Sequence, residues 1–163
     1  MISMNLQQAA ASVNGRLQGE DSIFTGCSTD TRSLQSGELF IALKGERFDG
    51  HAFVEQAIRS GATAAMVETL PEPTLPAIVV EDCRRAMGNL AQYWRRQFQI
   101  PLVAVTGSNG KTTVKEMISG ILSGLGPVLS TRGNLNNDIG VPLTLFGLGI
   151  EHRFAVIEMG ANH

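Results

Sequence analysis

Apolar positions along the chain follow two rhythms. Leu6, Ala9, Ala10 and Val13 recur at helical spacing, and Asn14-Gly15 supplies a stop. "ELFIALKG" (38–45) has the apolar run and closing glycine of a strand, and "HAFVEQAIRSGA" (51–62) reads as a helix ending at Gly61. "AAMV" (64–67) and "AIVV" (77–80) are short bounded runs that predict buried strands. The proline-rich "ETLPEPTLP" (68–76) between them is a surface loop or a linker.

After Val80 the pattern changes. Asp82 can cap a helix whose apolar positions are Cys83, Ala86, Met87, Leu90, Trp94 and Phe98, and Pro101 ends it. "LVAVT" (102–106) predicts a strand. A helix from Lys111 carries Val114, Met117, Ile118, Ile121, Leu122 and Leu125 on one face, up to Gly126-Pro127. "VLS" (128–130) and "FAVIEMG" (154–160) predict two more strands. "TRGNLNNDIG" (131–140) is too polar for a core element, and Pro142 suits the first turn of a short helix. Strands alternating with helices predict an α/β fold with a parallel sheet, divided near residue 81 into 1–81 and 82–163.

Composition narrows the class. A net charge of -2 over 163 residues, 43% of them hydrophobic, is that of a globular chain without a nucleic-acid footprint. Arg84-Arg85 and Arg95-Arg96 read as a solvated helix face. No apolar run reaches the roughly 20 residues of a membrane span, and the N-terminus lacks the marks of a secretory signal. Cys27 and Cys83 have no CxxC partner and read as reduced, structural thiols of a cytoplasmic protein.

The chemistry concentrates in "VTGSNGKTT" (105–113). A strand, then G-x-x-G-K-T, then a helix is phosphate-binding architecture. Gly107 and Gly110 let the backbone take conformations closed to other residues, so that amide groups converge on oxygen atoms. The helix beginning at Lys111 adds its unsatisfied amides and positive dipole end. Lys111 carries a point charge for terminal phosphates, and the Thr112 hydroxyl is suited to Mg²⁺. A tight strand–helix turn with a surface lysine is the plainer alternative. The general pattern wants glycine at position 105, where this chain has Val105, so the loop is a shorter variant.

"VTGSNGKTT" resembles the ATP loop of the Mur ligases and of their relative folylpolyglutamate synthase. Further stretches extend the resemblance to the whole chain: "STDTR" (28–32) followed by "GELFIALKGERFDGHAF", "GNLNNDIGVP" (133–142) and "VIEMGANH" (156–163). "STDTR", "ALKG" and "FDGH" suit both the members that add the third peptide residue and those that add D-alanyl-D-alanine. "GNLNNDIGVP" with "EMGANH" favours the latter. The muramoyl-nucleotide motifs disfavour a folate ligase.

The resemblance implies a small N-terminal α/β UDP-sugar-binding domain, followed by the first part of a P-loop parallel-sheet ATP-binding domain. It implies ATP and Mg²⁺ as cofactors, and a monomer acting on UDP-N-acetylmuramoyl-tripeptide and D-alanyl-D-alanine in peptidoglycan precursor synthesis. A substrate carboxylate is phosphorylated, and an amine attacks the acyl phosphate. Gly107, Ser108, Asn109, Gly110, Lys111, Thr112 and Thr113 are the expected nucleotide cradle. Lys111 and Glu158 are the expected catalytic groups, and Thr112 and Glu158 the metal ligands. Ser28, Thr31, Arg32, Lys44, Gly45, Asn134, Asn137 and Asp138 are the expected substrate contacts, against a turn-forming alternative for each stretch. His51 is expected to cap the helix after it, His152 has no companion ligands, and His163 could approach the metal or the phosphates. A chain ending at His163 is expected to be an N-terminal fragment, inactive alone, whose partial sheet has an open edge and an uncovered apolar face. A stand-alone nucleotide-binding module is the alternative of another class.

Overall fold

The computed structural model describes residues 1–46, 48–70 and 75–160. Its first part is built on a five-stranded sheet. Strands β1 (Ser3–Asn5) and β3 (Ile23–Thr25) pair antiparallel beside it. The sheet runs β2 (Arg16–Gln18), β7 (Ala77–Val79), β6 (Ala64–Val67), β5 (Leu39–Ile41), β4 (Cys27–Ser28), parallel except for β2.

Side chains alternate across this sheet with period two. Leu39, Ile41, Ala64, Met66 and Ile78 enter one core with helix α1 (Leu6–Ser12). Phe40, Ala42, Ala65, Val67 and Ala77 enter the opposite core with helix α2 (Val54–Arg59). Burial on both faces is why these strands read as continuous apolar runs. The predicted strand 38–45 is shorter, because Lys44 and Asp49 pair across a tight turn after Ile41. The predicted helix 51–62 divides into a 3-10 turn, Gly50–Phe53, and α2. The loop or linker 68–76 lies partly outside the described residues.

Helix α3 (Cys83–Arg95) has Asp82 as its cap, the carboxylate accepting from Arg85 N–H at 2.8 Å. Cys83, Ala86, Met87, Leu90 and Ala91 face the same core as α1, and Phe146 of helix α5 (Gly140–Phe146) closes it. Trp94 donates to the carbonyl of Leu148 at 3.0 Å. The arginine pairs are more engaged than a solvated face requires. Arg84 meets Asp138 at 3.2 Å, and Arg95 caps the turn after α3 through the carbonyls of Phe98 and Ile100.

The second sheet is wholly parallel, in the order β8 (Leu102–Val105), β10 (Phe154–Glu158), β9 (Val128–Ser130). Helix α4 (Lys111–Ser123) packs on it. Val114, Met117, Ile121 and Leu125 are exposed, and the fully buried position of α4 is Lys115 at 2% exposure. The helix turns Lys115 toward the sheet, and nothing among the described residues covers the apolar stripe. Val103 and Ala104 of edge strand β8 are exposed as well, which agrees with an open edge and an uncovered apolar face. Among the described residues no helix is long and apolar enough to cross a membrane.

Candidate functional site

The parallel register decides the site. Glu158, the last residue of β10, stands beside Val105, the last residue of β8. The carboxylate and the glycine-rich loop therefore leave the same sheet edge, where ligands bind in open α/β sheets. Val105 is buried inside the strand, so the missing pattern glycine falls where no unusual backbone angle is needed.

Gly107 and Gly110 have φ of 145° and 75°, and a side chain at either would meet open space. The glycines serve backbone conformation alone. Among the described residues, no backbone N–H from Gly107 through Thr113 donates to a protein acceptor. Seven consecutive amides, of Gly107, Ser108, Asn109, Gly110, Lys111, Thr112 and Thr113, are thus left without protein acceptors at a helix N-terminus. Lys111 Nζ folds back onto the Gly107 carbonyl at 2.8 Å.

Thr112 Oγ1 donates to Glu158 Oε2 at 2.9 Å, and Asn136 Nδ2 donates to Glu158 Oε1 at 2.8 Å. The Glu158 N–H donates to Thr131 Oγ1 at 2.9 Å. Glu158 is 2% exposed. The Asn136 amide, the Thr112 hydroxyl and the Lys115 and Lys111 charges hold its carboxyl below the ordinary range, against the opposing effect of burial. A hydroxyl and a carboxylate are hard oxygen donors of the kind Mg²⁺ takes. An ionised carboxylate only accepts, so the Thr112 proton points at Glu158 and leaves an oxygen lone pair free. The donor set fits a Mg²⁺ site completed by phosphate and water, although the described residues contain no cluster of three His, Cys, Asp or Glu side chains.

The Asn-rich stretch divides its labour. Asn137 Oδ1 accepts from the N–H groups of Gly140 and Ile139 at 2.7 and 3.3 Å, which is turn chemistry at the start of α5. Asp138 pairs with Arg84 on the surface. The Asn134 carbonyl accepts from Asn136 N–H at 2.8 Å. Asn136, one of three amides in the motif, is the one that reaches Glu158. Its own carbonyl accepts from Gly160 N–H at 2.6 Å. Lys115 was equally unmarked by the sequence; its only signal is a charged residue one turn after Lys111.

Of the other expected residues, Thr31 and Arg32 line a separate cavity of 640 Å³, with Thr29, Asp30, Phe40, Phe48, Phe53 and Gln56, while Ser28, Lys44 and Gly45 do not. Phe48 and Phe53 stack with centroids 5.3 Å apart. Arg32 grips Asp30 through Nε and Nη2, and this hydrogen bonding lowers the Asp30 carboxyl to about 2. The Ser28 hydroxyl donates to the Asp30 carbonyl at 3.0 Å, so it shapes the turn. Lys44 and Gly45 belong to the adjacent turn, where Gly45 N–H donates to the Phe48 carbonyl at 2.8 Å.

His51 does not act as the expected cap. Asp49 accepts from His51 N–H at 3.0 Å and caps the 3-10 turn, and also holds the imidazole Nδ1 at 2.7 Å. Nε2 accepts from Glu68 N–H at 2.9 Å, so the neutral ring carries its proton on Nδ1. His152 meets Gly149 N–H and Glu151. His163 lies outside the described residues. Both cysteines are free; burial raises both thiols, Cys83 to about 12.

A glycine-rich loop opening a helix beside a strand-end carboxylate defines a nucleotide-binding α/β protein. Two family descriptions match it: "Mur ligase family, catalytic domain" over residues 23–95, and "Mur ligase middle domain" over 105–163. The chain belongs to the Mur ligase family. It is 53% identical, over its whole length, to UDP-N-acetylmuramoyl-tripeptide--D-alanyl-D-alanine ligase of Escherichia coli K12, of which it covers 36%. Its fold matches a crystal structure of MurF from Acinetobacter baumannii with a TM-score of 0.94 and 46% identity, covering all of this chain and 37% of that one. A MurF ligase from Thermotoga maritima, solved in complex with ADP, matches 85% of this chain and 32% of its own with a TM-score of 0.77 and 33% identity. The chain thus spans about a third of the length of the relatives it matches.

Proposed function

We propose that this chain supplies the UDP-muramoyl-peptide pocket and the phosphate-binding edge of an ATP-dependent amide ligase of peptidoglycan precursor synthesis. The reaction joins D-alanyl-D-alanine to UDP-N-acetylmuramoyl-tripeptide. The run of seven unpaired amides from Gly107 to Thr113 carries this reading, and the relatives' names supply the substrates. The proposed division assigns residues 1–81 to the nucleotide-sugar and 82–163 to ATP, with α3 bridging the two because its buried face joins the first core.

In the proposed reaction, a substrate carboxylate oxygen attacks the γ-phosphorus and ADP leaves. The amine nitrogen of D-alanyl-D-alanine then attacks the acyl carbon, loses a proton and expels phosphate. Phosphoryl transfer needs positioning and charge stabilisation above all. The Gly107–Thr113 amides hold the phosphate oxygens, and Lys111 exchanges the Gly107 carbonyl for them. Thr112 and Glu158 hold Mg²⁺, which neutralises phosphate charge when bound. Asn136 fixes the Glu158 carboxylate. Asn134, Asn137 and Asp138 shape the loop beside the reacting carboxylate. The cavity at Thr31 and Arg32 takes the uridine diphosphate: the stacked Phe48 and Phe53 offer the base an aromatic wall and Arg32 faces the diphosphate, with Ser28, Lys44 and Gly45 framing it. The protein works as a cytoplasmic monomer.

Calorimetry of the full-length protein tests this. Separate saturable binding of UDP-N-acetylmuramoyl-tripeptide and of Mg-ATP is expected. Absence of Mg-ATP binding would refute the phosphate site. Preference for the UDP-dipeptide over the UDP-tripeptide would instead indicate the ligase that adds the third peptide residue.

A further inference from the structure

Lys115 is the buried charge that none of the roles above uses. It sits one turn beyond Lys111 on α4, 2% exposed, beneath the sheet edge that bears Glu158. Lys115 Nζ donates to the Thr131 carbonyl at 2.8 Å and to Glu116 Oε1 at 2.6 Å. Thr131 is itself buried, at 1% exposure, and its hydroxyl receives the Glu158 N–H. Beside the direct Thr112 bond, Thr131 thus gives α4 a second link to Glu158: Lys115 Nζ holds the Thr131 backbone, and the Thr131 side chain holds the Glu158 backbone. Thr131 also opens the loop that carries Asn136 to the Glu158 carboxylate. Removing a charge from water is costly, and replacing a buried ionic group by a well-packed apolar side chain of similar volume is often neutral or stabilising. The burial of Lys115 is better explained by what it aligns than by what it stabilises.

We propose that Lys115 is a positioning residue for the metal-nucleotide site, fixing Glu158 and the Asn136 loop relative to the phosphate loop through Thr131. This rests on the assignment of Thr112 and Glu158 to the Mg²⁺-nucleotide site. The same helix then presents Lys111 and Thr112 to the nucleotide from its first turn, and sets the distance to the facing carboxylate from its second. Partners that orient metal ligands without touching the metal are typically worth about 10–100-fold in affinity or activity.

The test uses the full-length enzyme with Lys115→Met, Lys115→Arg and Thr131→Val, the last removing only the hydroxyl link. Mg²⁺ concentration dependence, kcat, KM for ATP and thermal unfolding are measured for each. Lys115→Met is expected to raise the half-saturating Mg²⁺ concentration about 10-fold or more. Thr131→Val should shift it in the same direction, and Lys115→Arg should recover part of the loss. Unfolding temperatures need not follow that order. Wild-type Mg²⁺ dependence in Lys115→Met, or losses that track unfolding temperature alone, overturns the proposal. If Lys115→Met does not fold, wild-type Mg²⁺ dependence in Thr131→Val overturns it. Wild-type Mg-ATP binding distinguishes the two failures: where it is present, only the Lys115 role falls; where it is absent, the site assignment falls and takes the Lys115 role with it.

Discussion

Thr112 donates its hydroxyl proton to Glu158 at 2.9 Å, across 46 residues of sequence. The bond joins the first turn of α4 to the end of β10 and orients the threonine oxygen outward. Thr112→Val and Glu158→Ala in the full-length enzyme should each weaken Mg²⁺ dependence by about 10–100-fold. Isothermal titration with Mg-ATP, against ATP in chelator, measures it; equal affinities in wild type and variants would remove both residues from the metal site.

Lys111→Ala should lower kcat by roughly 100-fold or more, the scale of losing one preorganised charge partner in a transition state. The 163-residue chain itself should release no phosphate above background in a steady-state assay with ATP and both other substrates.

Gly110→Ala and Gly140→Ala should destabilise for different reasons. At Gly110, φ is 75° in open space, so the cost is the backbone conformation alone, about 1–2 kcal/mol. At Gly140, an added Cβ would lie 2.4 Å from the Leu135 backbone, so the Asn-rich loop must shift, at about 1–3 kcal/mol. Urea unfolding gives both values. Nucleotide titration should show Gly110→Ala affecting phosphate binding directly.

Asp30 should titrate at about 2 by carboxyl NMR, and Arg32→Ala should return it toward about 3.9. The sign is that of a depressed carboxylate: its contribution to stability is present above about 3.9 and is lost as pH falls through about 2. Both side chains are solvated, so the effect on stability is small. Arg32→Ala should also weaken uridine-diphosphate binding by about 10-fold or more, the scale of a hydrogen bond to a charged group.

Cys83 should not react with a thiol reagent at pH 7 in the native state, since it is buried and burial raises its thiol. Two equivalents should react in urea.

The phosphate loop was legible in the sequence because its signal is local. Glycines at 107 and 110, a preceding β-rich run and a following helix need no distant contact to be recognised. Strands β5, β6 and β7 of the first sheet were legible from their bounded apolar runs, whereas β1, β2, β3 and the two-residue β4 carry no such run. The choice of Asn136 over Asn134 and Asn137 was not legible. All three are amides in one polar stretch, and only the turn closed by Asn137 aims Asn136 at Glu158. The stripe Val114, Met117, Ile121, Leu125 was legible as one face of α4, but helical period marks a face without saying what covers it.

The order of residues alone determined that a strand would end in an anion-binding turn, because backbone freedom and helix-end amides depend on immediate neighbours. Folding in three dimensions decided which distant groups meet that turn. The parallel register set Glu158 beside Val105, and the rotation of α4 put Lys115 inside. Those outcomes rest on how separate segments pack, and pairwise packing leaves no mark on either segment read by itself.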